Sequence, residues 1–134
     1  MADVKDLMVG NWLQHANGKY YQVTRIDLLS DGNIHFACGT PHLWEYNNKF
    51  NPIPLTLDII KKNNPTYFEE LDVYDLGGLA IVYYEEEDEE PEFDVGRIGI
   101  GFHGDEFQYF TSIKYVHQLQ NLLTDYGSKK KIVI

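Results

Sequence analysis

The segment 112–127 carries the one long helical pattern in the sequence, and it constrains the fold more than any other feature. Apolar residues recur there at spacings of three and four, at Val116, Leu119, Leu123 and Tyr126, and Leu122 widens this core-facing stripe. We predict a helix from about Ile113 to Tyr126, with Gly127 as the residue that ends it. Because an amphipathic helix must bury its stripe, the rest of the chain has to supply an apolar surface.

The residues before this helix predict a sheet. Ten Tyr, seven Phe and two Trp lie mostly in alternating runs, a pattern that favours strands. In Lys19–Leu29 we expect Tyr21, Val23 and then Leu28 or Leu29 to face inward. Tight turns at Asn17-Gly18 and at residues 30–33 flank this strand and predict a meander of hairpins.

The second half predicts more strands and one short helix. Leu79–Tyr84 is a continuous apolar run of strand length, which predicts the central strand. Residues 93–102 and 106–111 predict two further strands, and Thr56 predicts the N-cap of a helix that ends before Pro65. The expected fold is a β-dominated α+β single domain over residues 1–134. It has six or seven mostly antiparallel strands, a short central helix and the C-terminal amphipathic helix.

Two segments resemble a known group of proteins. Pro54-Leu55-Thr56 and the closing-helix motif Tyr-Val-His-Gln-Leu-Gln-Asn-Leu at 115–122 are similar to short uncharacterised proteins of Bacteroidetes genomes and their phages or prophages. The resemblance covers about a fifth of the chain. It implies a phage or prophage type of protein and no particular activity.

The net charge of −10 comes from one local run of acids. Residues 85–94 hold eight of the 21 acids, and the remaining thirteen are nearly balanced by eleven bases. With only two Arg, at positions 25 and 97, a dedicated phosphate site is not expected. A direct nucleic-acid partner would need a basic face, which this composition does not favour.

The compartment is predicted from what the sequence does not contain. Cys38 is the single cysteine, so an internal disulfide is excluded. The first residues lack the pattern of a signal peptide, and no apolar run reaches the roughly 18 residues that span a bilayer. We expect a protein of the cytoplasm, of a bacterium or an infected host cell, with no membrane partner.

The polar side of the closing helix has two interpretations. His117, Gln120 and Asn121 lie on a face that is rich in amides and poor in charge. This face could dock a protein partner through uncharged hydrogen bonds, or it could satisfy backbone groups of a neighbouring segment. Trp44, in a proline-rich irregular segment, is the further candidate for a partner-binding anchor.

The sequence contains no strong catalytic or metal motif. Gly99-Ile-Gly-Phe-His-Gly104 matches the letters of a dinucleotide-binding turn, but the residues after it predict a strand where that fold needs a helix. None of the five histidines forms a ligand pair at helical spacing, so neither a metal nor a cofactor is expected. His103 with Asp105 and Glu106 leaves a small hydrolase site near 103–106 as one alternative.

The acidic run predicts an exposed, solvated loop over residues 85–94. Its core is Glu85, Glu86, Glu87, Asp88, Glu89 and Glu90. Such a run could instead mimic phosphate and inhibit a nucleic-acid-binding protein. The leading hypothesis is a non-catalytic protein-interaction domain of the phage or prophage type, based on the resemblance, the missing motifs, the amide face and the many aromatics. Its oligomeric state is not predicted.

Overall fold

The computed structural model describes residues 7–30, 34–38, 43–84, 92–101 and 104–134. These residues form a β-dominated α+β structure, which confirms the predicted fold class. The described residues form ten strands and not the six or seven expected, because several strands have only three or four residues and are too short for a recognisable alternating pattern. The strands are β1 (Trp12–His15), β2 (Tyr20–Leu28), β3 (Ile34–Cys38), β4 (Leu43–Tyr46), β5 (Phe50–Pro52), β6 (Thr66–Phe68), β7 (Val73–Leu76), β8 (Leu79–Tyr84), β9 (Glu92–Gly101) and β10 (Gly104–Ile113).

The chain divides into two compact units. The first comprises the residues up to Pro54 together with Tyr115–Asn121, and the second comprises Leu55–Lys114 and Leu122–Ile134. Each unit contains one antiparallel sheet of five strands. The expectation of one domain over residues 1–134 stays a prediction.

In the first unit the strands follow the order β4-β3-β2-β1-β5, so the predicted meander is confirmed. Gly18 adopts a φ of +87° in the turn between β1 and β2, a conformation that favours glycine. Leu13, Val23 and Phe50 are fully buried and form the core cluster of this unit. Ile26 and Tyr21 pack against that cluster.

A bulge in β2 changes which residues of the strand face inward. The register against β3 shifts between Val23 and Arg25, so the inward side passes from odd to even positions. Ile26 therefore packs against the core cluster, but the next even residue, Leu28, is 76% exposed where the strand ends. Of the two expected residues, Leu28 or Leu29, Leu28 is exposed and Leu29 is partly buried.

In the second unit the strand order is β10-β9-β8-β7-β6. The Leu79–Tyr84 strand lies in the middle, as predicted. Ile81 pairs with Val95 on one side and with Tyr74 on the other, and both Ile81 and Val95 are fully buried. Leu79 and Ala80 are fully buried as well, so both faces of this strand are covered, which explains its continuous apolar sequence.

The short helix α1 (Leu57–Lys62) confirms the predicted cap. The Thr56 hydroxyl accepts a hydrogen bond from the Ile59 backbone N–H at 3.2 Å, which satisfies one of the free donors of the first turn. Asp58 lies in the first turn and Lys61 in the last, so each charge interacts favourably with the helix dipole.

The closing helix α2 (Val116–Asp125) begins three residues later than predicted. Ser112 and Ile113 still pair with β9, so they belong to β10. The helix ends as predicted, with Gly127 at a φ of +72°. The backbone N–H of Gly127 donates to the Thr124 carbonyl at 2.9 Å, and that of Ser128 donates to the Leu123 carbonyl at 2.9 Å. Val116, Leu119 and Leu123 are buried as predicted, but Tyr126 is exposed.

A second bulge in β10 depends on one glycine. The register against β9 shifts between Tyr109 and Thr111, which leaves Phe110 as the extra residue. A Cβ on Gly96 would overlap the carbonyl oxygen of Gln108 and lie 2.8 Å from its carbonyl carbon. Only glycine therefore lets the two strands approach this closely.

We predict that Gly96→Ala lowers the free energy of unfolding by about 3 kcal/mol, because the added methyl group meets backbone that cannot rotate away. Gly99→Ala is the matched control on the same strand. There the new Cβ meets only the movable side-chain amide of Gln108, at 2.5 Å, so the loss should be at most about 1 kcal/mol. Urea unfolding of both variants provides the measurement, and equal losses would contradict this account of the bulge.

Candidate functional site

The amides of α2 in the first unit bind the segment before β1. The Gln120 side-chain carbonyl accepts a hydrogen bond from the Trp12 backbone N–H at 2.9 Å, and its amide donates to the Gly10 carbonyl at 3.0 Å. The Asn121 carbonyl accepts from the Asn11 side-chain amide at 2.9 Å. The two side chains therefore hold three groups of a segment more than 100 residues away in the sequence.

The local sequence explains why this segment needs such partners. Gly10 adopts a φ of +95°, and Asn11 folds back so that its side-chain carbonyl accepts from the Met8 N–H at 2.7 Å. This turn interrupts the strand that Leu7–Leu13 would otherwise form. Since an unsatisfied backbone group costs free energy once it is shielded from water, the amides of α2 stabilise the turn.

His117 is also part of the packed structure. Its side chain is only 6% exposed, and its ring stacks on Tyr115 with 5.9 Å between the ring centroids. The second interpretation, in which the polar face satisfies neighbouring backbone, is supported for Gln120, whereas Asn121 bonds the Asn11 side chain. The partner-binding role of His117, Gln120 and Asn121 stays a prediction.

The other predicted site residues fall partly outside the described residues. The backbone of Trp44 lies in β4, opposite Ala37, at the edge of the first sheet. The side chain of Trp44 is not among the described parts of the structure. The acids Glu85, Glu86, Glu87, Asp88, Glu89 and Glu90 also lie outside it. The strands on either side pair up to Tyr84 and Glu92.

The glycine motif lies on two paired strands. Gly99 belongs to β9 and Gly104 to β10, and the residues after Gly104 continue as strand. No helix begins where a dinucleotide fold requires one, so the prediction of a strand here is confirmed. Of the alternative hydrolase site, Asp105 and Glu106 are exposed, and His103 lies outside the described residues.

The second unit exposes an aromatic cluster that consists of Tyr109, Phe110 and Tyr126. Phe110 and Tyr126 stack with 5.3 Å between ring centroids and 22° between planes, although both remain exposed. Tyr109 is 58% exposed. Its hydroxyl hydrogen-bonds the Ser112 hydroxyl at 2.9 Å, and Ser112 donates to Asp94 at 2.7 Å. These hydrogen bonds restrict the Tyr109 ring in a position where it still faces solvent.

A further pair of aromatic residues lies at the opposite edge of the same sheet. The rings of Tyr67 and Tyr74 are neighbours across β6 and β7, with 4.8 Å between centroids. The Tyr67 hydroxyl donates to the Asp72 carboxylate at 2.7 Å. That hydrogen bond, with desolvation and the negative charge of Asp72, raises the pKa of Tyr67 from 10.0 to about 12.

In the described part of the chain, no group of three or more His, Cys, Asp or Glu side chains could hold a metal ion. No helix among the described residues is both long and apolar enough to cross a membrane.

Sequence reasoning missed the aromatic cluster for a physical reason. Tyr126 has the spacing of a core residue, and the bulge that frees Phe110 depends on Gly96 in another strand. The only available signal was the unusual content of Tyr and Phe.

No protein-family model, curated protein or solved structure matches this chain.

We predict that Gln120→Leu lowers the free energy of unfolding by about 1–3 kcal/mol, because the Trp12 N–H loses its acceptor. Gln14→Leu is the matched control, since the Gln14 amide makes only an exposed bond of 3.4 Å and its loss should cost no more than about 0.5 kcal/mol. Urea unfolding midpoints measure both. Equal stability of the Gln120 variant and the wild type would remove the structural role assigned to this side chain.

We also predict that Asp72→Asn lowers the pKa of Tyr67 from about 12 towards 10. Asparagine tolerates the φ of +51° at position 72, so the backbone is preserved. Since folding favours the protonated phenol, this contribution to stability is complete below pH 10 and is lost as the pH rises towards 12. Tyrosinate absorbance during an alkaline titration gives the readout. Between pH 10 and 12, the Asp72→Asn variant should contain one more ionised tyrosine than the Asp58→Asn control.

Proposed function

We propose that this chain is a non-catalytic protein-interaction domain that binds an extended segment of a partner protein along β10. The aromatic cluster of Tyr109, Phe110 and Tyr126 is the observation that carries the proposal. Tyr and Phe are enriched in protein interfaces because they bury a large area at a small cost in side-chain entropy. The bond of Tyr109 to Ser112 lowers that cost further, since the ring is already restricted.

The position of β10 favours an extended partner. It is ten residues long, lies at one edge of its sheet, and pairs with β9 alone among the described strands. The outer edge of such a strand offers backbone donors and acceptors to an added strand. The bulge after Tyr109 divides β10, and the longer regular stretch, Gly104–Tyr109, is long enough for a short peptide segment.

The charge of this edge favours a basic partner. Asp105 and Glu106 are exposed in the part of β10 that is free for regular pairing, and Asp125 is exposed next to Tyr126. A partner segment with alternating apolar residues and a Lys or Arg flank would match both the aromatic cluster and the acids.

The cellular setting is part of the same proposal. The resemblance of 54–56 and 115–122 supports a phage or prophage type of protein, and the single cysteine supports a reducing cytoplasm, of a bacterium or an infected cell. The alternatives of an acidic inhibitor and a small hydrolase depend on residues 85–90 and 103, which lie outside the described residues.

We predict that a display selection of random extended peptides against the intact protein enriches alternating apolar sequences with Lys or Arg. The affinity of an enriched peptide should fall at least about tenfold in Tyr109→Ser, since a buried aromatic anchor contributes more than about 1.4 kcal/mol. Tyr20→Ser is the matched control, because Tyr20 has a similar exposure of 52% but lies on β2 of the other sheet. Fluorescence anisotropy measures each affinity.

A second comparison tests the strand-addition geometry. The same peptide with alternate N-methylated residues keeps its side chains but loses the backbone donors that pair with a sheet edge, so it should bind at least about tenfold more weakly. Failure to enrich any peptide would overturn the proposal. Equal binding to the Tyr109 and Tyr20 variants would also overturn it, because the aromatic cluster would then have no role.

A further inference from the structure

The register of the β9–β10 hairpin fixes which backbone groups face the outer edge of the second sheet. Gly104 is opposite Gly101, and only two residues separate them in the sequence. The first pair of such a tight hairpin exchanges both of its backbone hydrogen bonds, and bonded and non-bonded pairs then alternate along the two strands. Residues 104, 106 and 108 therefore bond to β9. The N–H and C=O groups that point away from β9 belong to the intervening residues, which are Asp105, Phe107 and Tyr109.

The side chains of these three residues share one face of the sheet, because residues two apart in a strand point the same way. Phe107 is half-buried and lies opposite Ile98, which is also half-buried. Asp105 lies opposite Ile100, which is 89% exposed. A strand added along β10 would place its own side chains beside this partly apolar face and extend it outward.

The end of the hairpin extends beyond the rest of its sheet. β9 pairs with β8 only over residues 92–96, so residues 97–101 pair with β10 alone among the described strands. A two-stranded ribbon is marginally stable in water, and a third strand would supply further backbone hydrogen bonds and apolar contacts. The ribbon is therefore the part of the sheet that gains most from an added strand.

Acidic and aromatic residues are separated along the same edge. Asp105 and Glu106 are exposed near its beginning, and Phe107 and Tyr109 follow. The direction of a partner strand determines the order in which it meets them. Every described strand pair of the second sheet is antiparallel, and antiparallel pairing is slightly more stable per residue than parallel pairing. An antiparallel partner meets the aromatic residues first and the acids last.

On the basis of the proposed function, we infer that the partner segment is antiparallel to β10 and has a defined order of residue types. Its first paired residue, opposite Tyr109, is aromatic or β-branched, and its third, opposite Phe107, is apolar. Its fifth, opposite Asp105, is Lys or Arg, because opposite charges stabilise a cross-strand pair. The fourth residue lies opposite Glu106, so a base is favoured there as well. The apolar residues thus precede the basic residues along the partner chain.

The first test compares two capped peptides of identical composition. The forward peptide, Tyr-Thr-Val-Lys-Arg, has the inferred order, and the reversed peptide, Arg-Lys-Val-Thr-Tyr, has the order that a parallel partner would need. In an NMR titration of the intact protein, the forward peptide should bind at least about tenfold more tightly, since only this peptide places its bases opposite the acids in antiparallel pairing. Equal or tighter binding of the reversed peptide would overturn the inference. Absence of binding by both peptides at about 5 mM would also overturn it.

A charge exchange tests the register. Asp105→Lys should weaken binding of the forward peptide about fivefold, and a peptide with Glu as its fifth residue should recover that factor in this variant. Glu70→Lys is the matched control, because Glu70 is exposed in the same unit but lies outside β10, and its affinity for both peptides should equal that of the wild type. An Asp105→Lys variant that binds both peptides equally would contradict the register.

N-methylation tests which backbone donors of the partner pair with β10. Methyl groups on the first, third and fifth residues of the forward peptide should lower its affinity at least about tenfold, whereas methyl groups on the second and fourth should not, since those N–H groups point away from β10. The opposite result would overturn the inferred pairing. These outcomes are distinct from a failure of the proposed function, which is decided by whether selected peptides of any order lose affinity in Tyr109→Ser.

Discussion

The hydrogen bonds of Gln120 are the interaction on which the first unit depends. The turn at Gly10 and Asn11 breaks the strand that leads into β1, and it leaves backbone groups that must be satisfied elsewhere. One glutamine side chain supplies an acceptor to Trp12 and a donor to Gly10. Because Gln120 lies beside Leu119, which is fully buried, the helix position fixed by apolar packing also brings the amide to its partners.

This arrangement explains a helix face that is polar but nearly uncharged. A Lys or Glu at position 120 would have to lose its hydration in order to reach the same backbone groups, and that cost would exceed the gain from the hydrogen bonds. An amide carries both a donor and an acceptor without a net charge, so it can satisfy an N–H and a C=O together. The amide-rich composition is therefore a requirement of the contact.

The sequence predicted the features that depend on neighbouring residues. Thr56 at the start of α1, Gly127 at the end of α2 and the apolar run of β8 each act within one turn or one strand, and each is confirmed. The features that it missed depend on residues far apart in the chain. The β10 bulge needs Gly96 in β9, and the partners of Gln120 lie 108 and 110 residues away. Spacing patterns carry no information about such contacts.

The bulge also connects the stability of the second sheet with the surface that it exposes. A regular β10 would pair the backbone of Phe110 with β9, whereas here Phe110 is the extra residue and its ring stacks on Tyr126. The bulge also shortens the stretch of β10 on which another strand could pair. A ten-residue edge is thereby protected from nonspecific pairing with other chains. The longest regular stretch of this edge has six residues, contains two exposed acids and ends at the aromatic cluster. Such an edge discriminates between partners because few segments satisfy all three conditions.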